Sequence, residues 1–223
     1  MRLEDVLLQI PVLLFSVVAH EYAHAEAAYR QGDTTAYMLG RLTLNPLKHI
    51  DPFMTIILPT VLILSHAPFV FGAAKPVPVN PRNYRRYVRG DIIVSLAGIA
   101  TNLALFILSA IVYVLVGLLG EAFASAVPTL ALLQHMMFWG MYLNVVLACF
   151  NLIPIPPLDG SHVLKQILPP AAGMRYRQLY AFGIVPILLV VWLLPGVINV
   201  FMWPGMQLLD IALRLVFPFR LGS

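Results

Sequence analysis

The stretch VLLQIPVLLFSVVAHEYAHAEAAY, Val6 to Tyr29, sets the reading of the whole chain. It is long and apolar enough to span a bilayer, since about 20 helical residues cross the hydrocarbon. Its second half nevertheless carries His20, Glu21 and His24, and ionisable groups inside a span are costly and functional by default. On a helix, residues i and i+4 share a face. The imidazoles of His20 and His24 can therefore reach one tetrahedral ion, zinc by default, while Glu21 is placed to take a proton from a water beside it. Val6 to His20 rises roughly 21 Å of a hydrocarbon thickness near 30 Å. An ion at that depth lies inside the bilayer, and chemistry there needs a water-filled cavity.

The rest of the chain agrees with a membrane setting. Of 223 residues, 60% are hydrophobic and 11% charged, against roughly a quarter charged in soluble domains. That balance excludes a soluble enzymatic, peptide-binding or nucleotide-binding domain. Apolar segments run over 6–29, 52–71, 92–119, 130–152, 179–200 and 203–217. The fold class expected is an all-α polytopic membrane protein with about five transmembrane helices plus a re-entrant or partial second segment. That second segment is interrupted by Pro59, His66 and Pro68, and AKPVPVNP (Ala74 to Pro81) follows it, so an extended stretch is expected near 72–82. In the last segment, Asp210 and Arg214 could pair on a span or mark a helix lying at the interface; the span is favoured. One membrane-embedded domain, 1–223, is expected, with a core over about 6–168 and C-terminal helices over about 179–218. The Ala-His-Ala at 23–25 imitates a signal-peptidase site. Glu4 and Asp5 beside Arg2 argue against that reading, and cleavage would discard the HEYAH string.

The net charge of +4 comes from bases between apolar segments, where they set topology; no nucleic-acid partner is expected. In Tyr84-Arg85-Arg86-Tyr87 the bases and aromatics read as a headgroup anchor. Cys149 is the single cysteine, which excludes an intrachain disulfide or a thiolate cluster. If all six segments cross, the 14 Lys and Arg divide 11 to 3. If the second dips in and returns, they divide 13 to 1, with Arg2 alone outside, which is the stronger bias.

Two histidines leave a third ligand to find. The best candidate is Asp159, in Asn151-Leu152-Ile153-Pro154-Ile155-Pro156-Pro157-Leu158-Asp159-Gly160. There the prolines end regular helix and present the acid on a turn. A plain Asp-Gly loop tip is the alternative.

HEYAH in one span and NLIPIPPLDG after a later one together resemble the site-2 protease family of intramembrane zinc metalloproteases. A third element of that family, Ala-Gly followed closely by Asn, matches Ala97-Gly98-Ile99-Ala100-Thr101-Asn102, with Ile99 where many members have proline. Similarity to the compact prokaryotic subgroup without accessory soluble domains continues through GRLTLNPLKHIDP (Gly40 to Pro52) and FGAAKPVPVNP (Phe71 to Pro81). The resemblance covers about 15–164.

It implies that His20, His24 and Asp159 bind one Zn²⁺ per chain. Glu21 would act as general base and later as proton donor to the leaving amine. Asn102 and Asn151 would hold a substrate strand or stabilise an oxyanion, or else hydrogen-bond between spans. His49 is a candidate for a supporting or gating role beside an interfacial alternative. His162 could steady Asp159, with a satisfied histidine at a helix start as its alternative. His66 and His135 are expected to be structural, and Glu26 to point away from the metal face. For His20 and Asp159 to meet, the first and fourth segments must run parallel, which the re-entrant topology also allows.

The function implied is hydrolysis of peptide bonds within or next to transmembrane segments of a membrane-protein substrate. The chain would lie multi-pass in the inner (plasma) membrane, with its N-terminus outside and its site toward the cytoplasm. The alternatives are a catalytically silent relative that binds membrane helices, which the intact Glu21 argues against, and a metal transporter.

Overall fold

In the computed structural model, residues 3–51, 57, 61 and 75–221 are described. No strand occurs among them. The helices are α1 (Leu3–Gln31), α2 (Thr35–Met38), α3 (Tyr87–Ala122), α4 (Val127–Asn151), α5 (Asp159–Ile167), α6 (Pro170–Gln178), α7 (Val185–Leu193) and α8 (Pro195–Val216). Among the described residues, four helical stretches are long and apolar enough to cross a membrane: Asp5–Gln31, Tyr87–Ala122, Ala124–Leu152 and Pro195–Phe219. A fifth exists if Pro170–Phe182 and Val185–Leu193, bent by 92°, form one span. The chain is thus a multi-pass, all-helical membrane protein.

Local sequence explains where helices begin and break. Proline stands in the first turn of α4, α6, α7 and α8, where the missing N–H costs nothing and the fixed φ favours helix. The apolar run 179–200 is not one helix, as the sequence suggested. Gly183 turns the chain with φ +55°, a conformation glycine adopts without penalty. Pro195 then holds Leu194 out of the helical region (φ −135°, ψ 54°). The tail of that run therefore belongs to α8, which carries Asp210 and Arg214 paired at 2.9 Å.

α1 and α3 are antiparallel: His24 meets Val94 and His20 meets Asn102. α3 and α4 are antiparallel as well, with Asn102 on Asn144 and Gln134 on the Tyr113 carbonyl. α1 and α4 consequently run the same way, and the chain leaves α1 and enters α3 at the same end of the bundle. The re-entrant expectation for 52–71, and His66 with it, falls outside the described residues, which include only 57 and 61 of that segment.

The main core joins α3, α4 and α8 through Phe106, Tyr113, Met141, Val145, Leu209 and Val216. Ile107, Ile111 and Leu115 are exposed on the opposite face of α3, a stripe suited to lipid. Because lipid tails are as apolar as leucine, close packing and interhelical hydrogen bonds hold such a bundle. Small residues permit the approach: Gly140 lies against Ser109, and Gly205 against Cys149 and Val145.

Candidate metal centre

HEYAH lies in the C-terminal half of α1, with His20 buried. Asp159 is the first residue of α5, just beyond the loop that contains a cis Pro156–Pro157 bond. Gly160 follows because a side chain there would strike the carbonyls of Leu152 and Ile153. The loop is pinned from outside. Tyr176 Oη donates to the Pro154 carbonyl at 2.9 Å, and Tyr180 Oη and Ser161 Oγ share a hydrogen bond of 2.7 Å.

His20 Nε2 lies 3.2 Å and His24 Nε2 3.3 Å from Asp159 Oδ2, and the two nitrogens are 2.9 Å apart. Among the described residues these three form the one group of His, Cys, Asp and Glu able to share an ion. Tetrahedral zinc with bonds near 2.0–2.2 Å needs ligand atoms about 3.3 Å apart, close to this triangle. The bonding around them also fits a cation. His24 Nδ1 is 2.7 Å from the Val94 carbonyl, which can only accept. Nδ1 therefore donates, and Nε2 of the neutral ring keeps its lone pair. Asp159 Oδ2 is buried with no hydrogen-bond partner. An unprotonated nitrogen and a carboxylate oxygen in this contact repel unless a positive charge sits between them.

α3 supports the triangle closely. A Cβ at Gly98 would stand 2.5 Å from His20 Cε1 and from His24 Nε2, which gives the Ala97-Gly98 element its physical reason. Asp91 of the same helix accepts from Lys165 Nζ at 2.7 Å and Gln166 Nε2 at 2.5 Å, with His162 Nδ1 at 3.4 Å. Those three residues ride on α5 behind Asp159, so Asp91 fastens the short helix that presents it.

Glu21 Oε2 accepts the backbone N–H of Val77 at 2.7 Å. Residues 75–80, which have no regular secondary structure, are held at both ends. Arg41 donates to the Lys75 carbonyl at 2.9 Å, and the Asn80 N–H donates to Asp33 Oδ2 at 2.6 Å.

Asn102 is fully buried, accepting from His20 Nδ1 at 2.6 Å and donating to Asn144 Oδ1 at 2.8 Å. Both ends of its amide thus meet protein groups. Asn151 Nδ2 donates back to the Leu147 carbonyl of its own helix at 3.0 Å. His49 is buried, with Nε2 2.8 Å from the Thr43 carbonyl. His162 lies near Asp91 and 3.2 Å from Lys165 Nζ. His135 meets Asp5 at 3.3 Å, and Glu26 pairs with Arg30 at 2.7 Å. Sequence reasoning missed Asp91, Val94, Asn144, Val77, Tyr176 and Tyr180. A signal was available for Asn144, an amide with apolar neighbours on both sides within a span, and for Asp91, an acid at the start of one.

Comparison with known proteins agrees with this geometry. The model of peptidase family M50 matches residues 9–194. YwhC of Bacillus subtilis, provisionally named a zinc metalloprotease, is 39% identical over 183 residues, covering 82% of this chain and 78% of that protein. Rip2 of Mycolicibacterium smegmatis, named in the same provisional way, is 35% identical over 185 residues (79% of this chain, 64% of Rip2). Its Mycobacterium tuberculosis namesake is 31% identical over 182 residues (82% and 65%). The chain therefore spans just under two thirds of the length of these mycobacterial relatives. No solved structure matches it.

Proposed function

The chain belongs to peptidase family M50, and from that premise we propose that this membrane zinc metalloprotease cuts transmembrane segments of other membrane proteins. The observation that carries the proposal is the convergence of His20, His24 and Asp159 inside the bundle, with Glu21 on the same helical turn. His20, His24 and Asp159 would hold one zinc ion. When bound, the ion polarises the scissile carbonyl and acidifies a water. Glu21, held in place by the Val77 N–H, would serve as general base to the attacking water and as proton donor to the leaving nitrogen. Asn151 contacts the substrate backbone. The burial of Asn102 favours a role behind His20 over direct contact with substrate.

A helical substrate hides its peptide bonds in internal hydrogen bonds, so the segment unwinds before attack, and helix-weakening residues near the cut are expected. The excess of Lys and Arg on one side of the bundle supports an N-terminus outside and a site toward the cytoplasm. The test is zinc content, together with cleavage of a panel of model transmembrane segments, by purified wild type, Glu21→Gln and Asp159→Ala. About one zinc per chain and cleavage abolished in both variants is the expected result. Zinc-replete wild type that cuts no panel member would instead support a helix-binding role, and full cleavage by Glu21→Gln would overturn the assignment of the base.

A further inference from the structure

We infer that Asn144 of α4 is a positioning residue for the metal site: the orientation of its amide, passed through Asn102, keeps the Nε2 lone pair of His20 free for the ion. The inference rests on the metal-site reading above and concerns a residue outside its ligand set. It follows from which atoms can donate. Asn144 lies 2.9 Å from the Gly140 carbonyl oxygen. A carbonyl only accepts, so the Asn144 atom facing it is the nitrogen, Nδ2. Its second hydrogen goes to Ser16 Oγ of α1 at 2.9 Å.

With both hydrogens used, Asn144 presents Oδ1 to Asn102. The Asn102 atom 2.8 Å away must then donate, and it is Nδ2. Asn102 is left facing His20 with Oδ1, 2.6 Å from Nδ1. His20 Nδ1 therefore carries the hydrogen, and the lone pair of the neutral ring sits on Nε2, which lies 3.2 Å from Asp159 Oδ2.

The relay crosses three spans, and Asn102 and Asn144 are buried, as is Ser16. Exposures of 0% at Asn102 and 2% at Asn144 leave no solvent contact that could reorient either amide. Were the polarity reversed, His20 would carry its hydrogen on Nε2 and donate it to Asp159, closing two ligand positions at once. His24 is fixed in the same tautomer by the Val94 carbonyl, so the two imidazoles are matched by different means. Groups behind metal-bound histidines typically contribute about 10- to 100-fold in metal affinity.

The test uses the full chain in detergent or bilayers and reads zinc affinity by chelator competition. Asn144→Leu, which keeps volume and removes polarity, is expected to bind zinc about 10- to 100-fold more weakly. Asn102→Leu is expected to lose at least as much. The double variant should lose no more than Asn102→Leu alone, because Asn144 acts through Asn102. Unchanged affinity in folded Asn144→Leu, or additive losses in the double variant, would overturn the inference.

A measurement on the wild type guards against variants that fail to fold. Nitrogen chemical shifts of labelled His20 in the metal-free chain should report the hydrogen on Nδ1; a hydrogen on Nε2 overturns the inference. Wild type that binds no zinc at all would sink the metal-site reading itself, whereas wild-type zinc with an unaffected Asn144→Leu removes only the role of Asn144.

Discussion

The carboxylate of Glu21 is tied to the main chain of Val77, Oε2 accepting its N–H at 2.7 Å. Val77 stands between two prolines that have no N–H to offer, so this is the single donor within Pro76–Pro78. Hydrogen bonds to charged groups contribute ~1.5–3 kcal/mol. Val77→Pro deletes the donor, and Val77→Ala keeps it. We expect the proline variant to retain its zinc while kcat falls about tenfold or more. The alanine variant should cut nearly normally, with a modest loss of stability from its contacts with Ala25 and Ala36. Equal kcat in the two variants would remove the N–H from the account.

Gly98 marks where α3 touches the imidazoles. A methyl group there would stand 2.5 Å from both rings, and overpacking of this kind costs ~1–3 kcal/mol. Gly98→Ala is expected to lose bound zinc and cleavage while keeping its helical circular dichroism. Full zinc occupancy by elemental analysis would contradict the placement.

Asp91 and Lys165 form a buried pair at 2.7 Å, with side chains 3% and 8% exposed. Removing one partner strands the other, which typically costs ~3–5 kcal/mol, whereas replacing both by apolar groups is often neutral. Asp91→Asn should therefore lower Tm and weaken zinc binding through α5. Adding Lys165→Met should recover much of the Tm. A double variant no more stable than Asp91→Asn would show that the charge pair is not what fastens α5.

The clamp at Asp33 should respond to acid. Burial alone would raise its carboxyl, but hydrogen bonds from the Asn80 N–H, Thr35 and Asn83 outweigh that and hold it below the ordinary value of 3.8. A depressed pKa gives stability that is complete above the unfolded-state value and is lost as pH falls through the folded one. The Tm advantage of wild type over Asp33→Asn should be constant from pH 7 to about 5 and shrink below about 4. A gap that widens on acidification would reverse the sign.

What could be read from the sequence was whatever repeats along the chain or sits in a fixed spacing. The i, i+4 pair in HEYAH and the proline-rich approach to Asp159 are local patterns, and the long apolar runs at 92–119 and 130–152 announce themselves by composition. The supports of the site are of another kind. The Val94 carbonyl and the Val77 N–H belong to the main chain, which every residue carries, so no side-chain pattern distinguishes them. Asp91 and Lys165 are 74 positions apart and become partners only when α5 docks. The break at Leu194 was missed because hydrophobicity continues through it while a single proline ends the hydrogen-bond ladder.

The two histidines of the proposed metal site differ in what stands behind them, and the difference bears on heredity. His24 leans on the carbonyl of Val94, a group that any amino acid at position 94 would provide. His20 leans on the Asn102 side chain and, through it, on Asn144, where a single codon change is enough to remove the support. One half of the centre is thus sheltered from point mutation at its supporting residue and the other is exposed. Loss-of-function alleles outside the ligands themselves should accumulate at 102 and 144 and be sparse at 94.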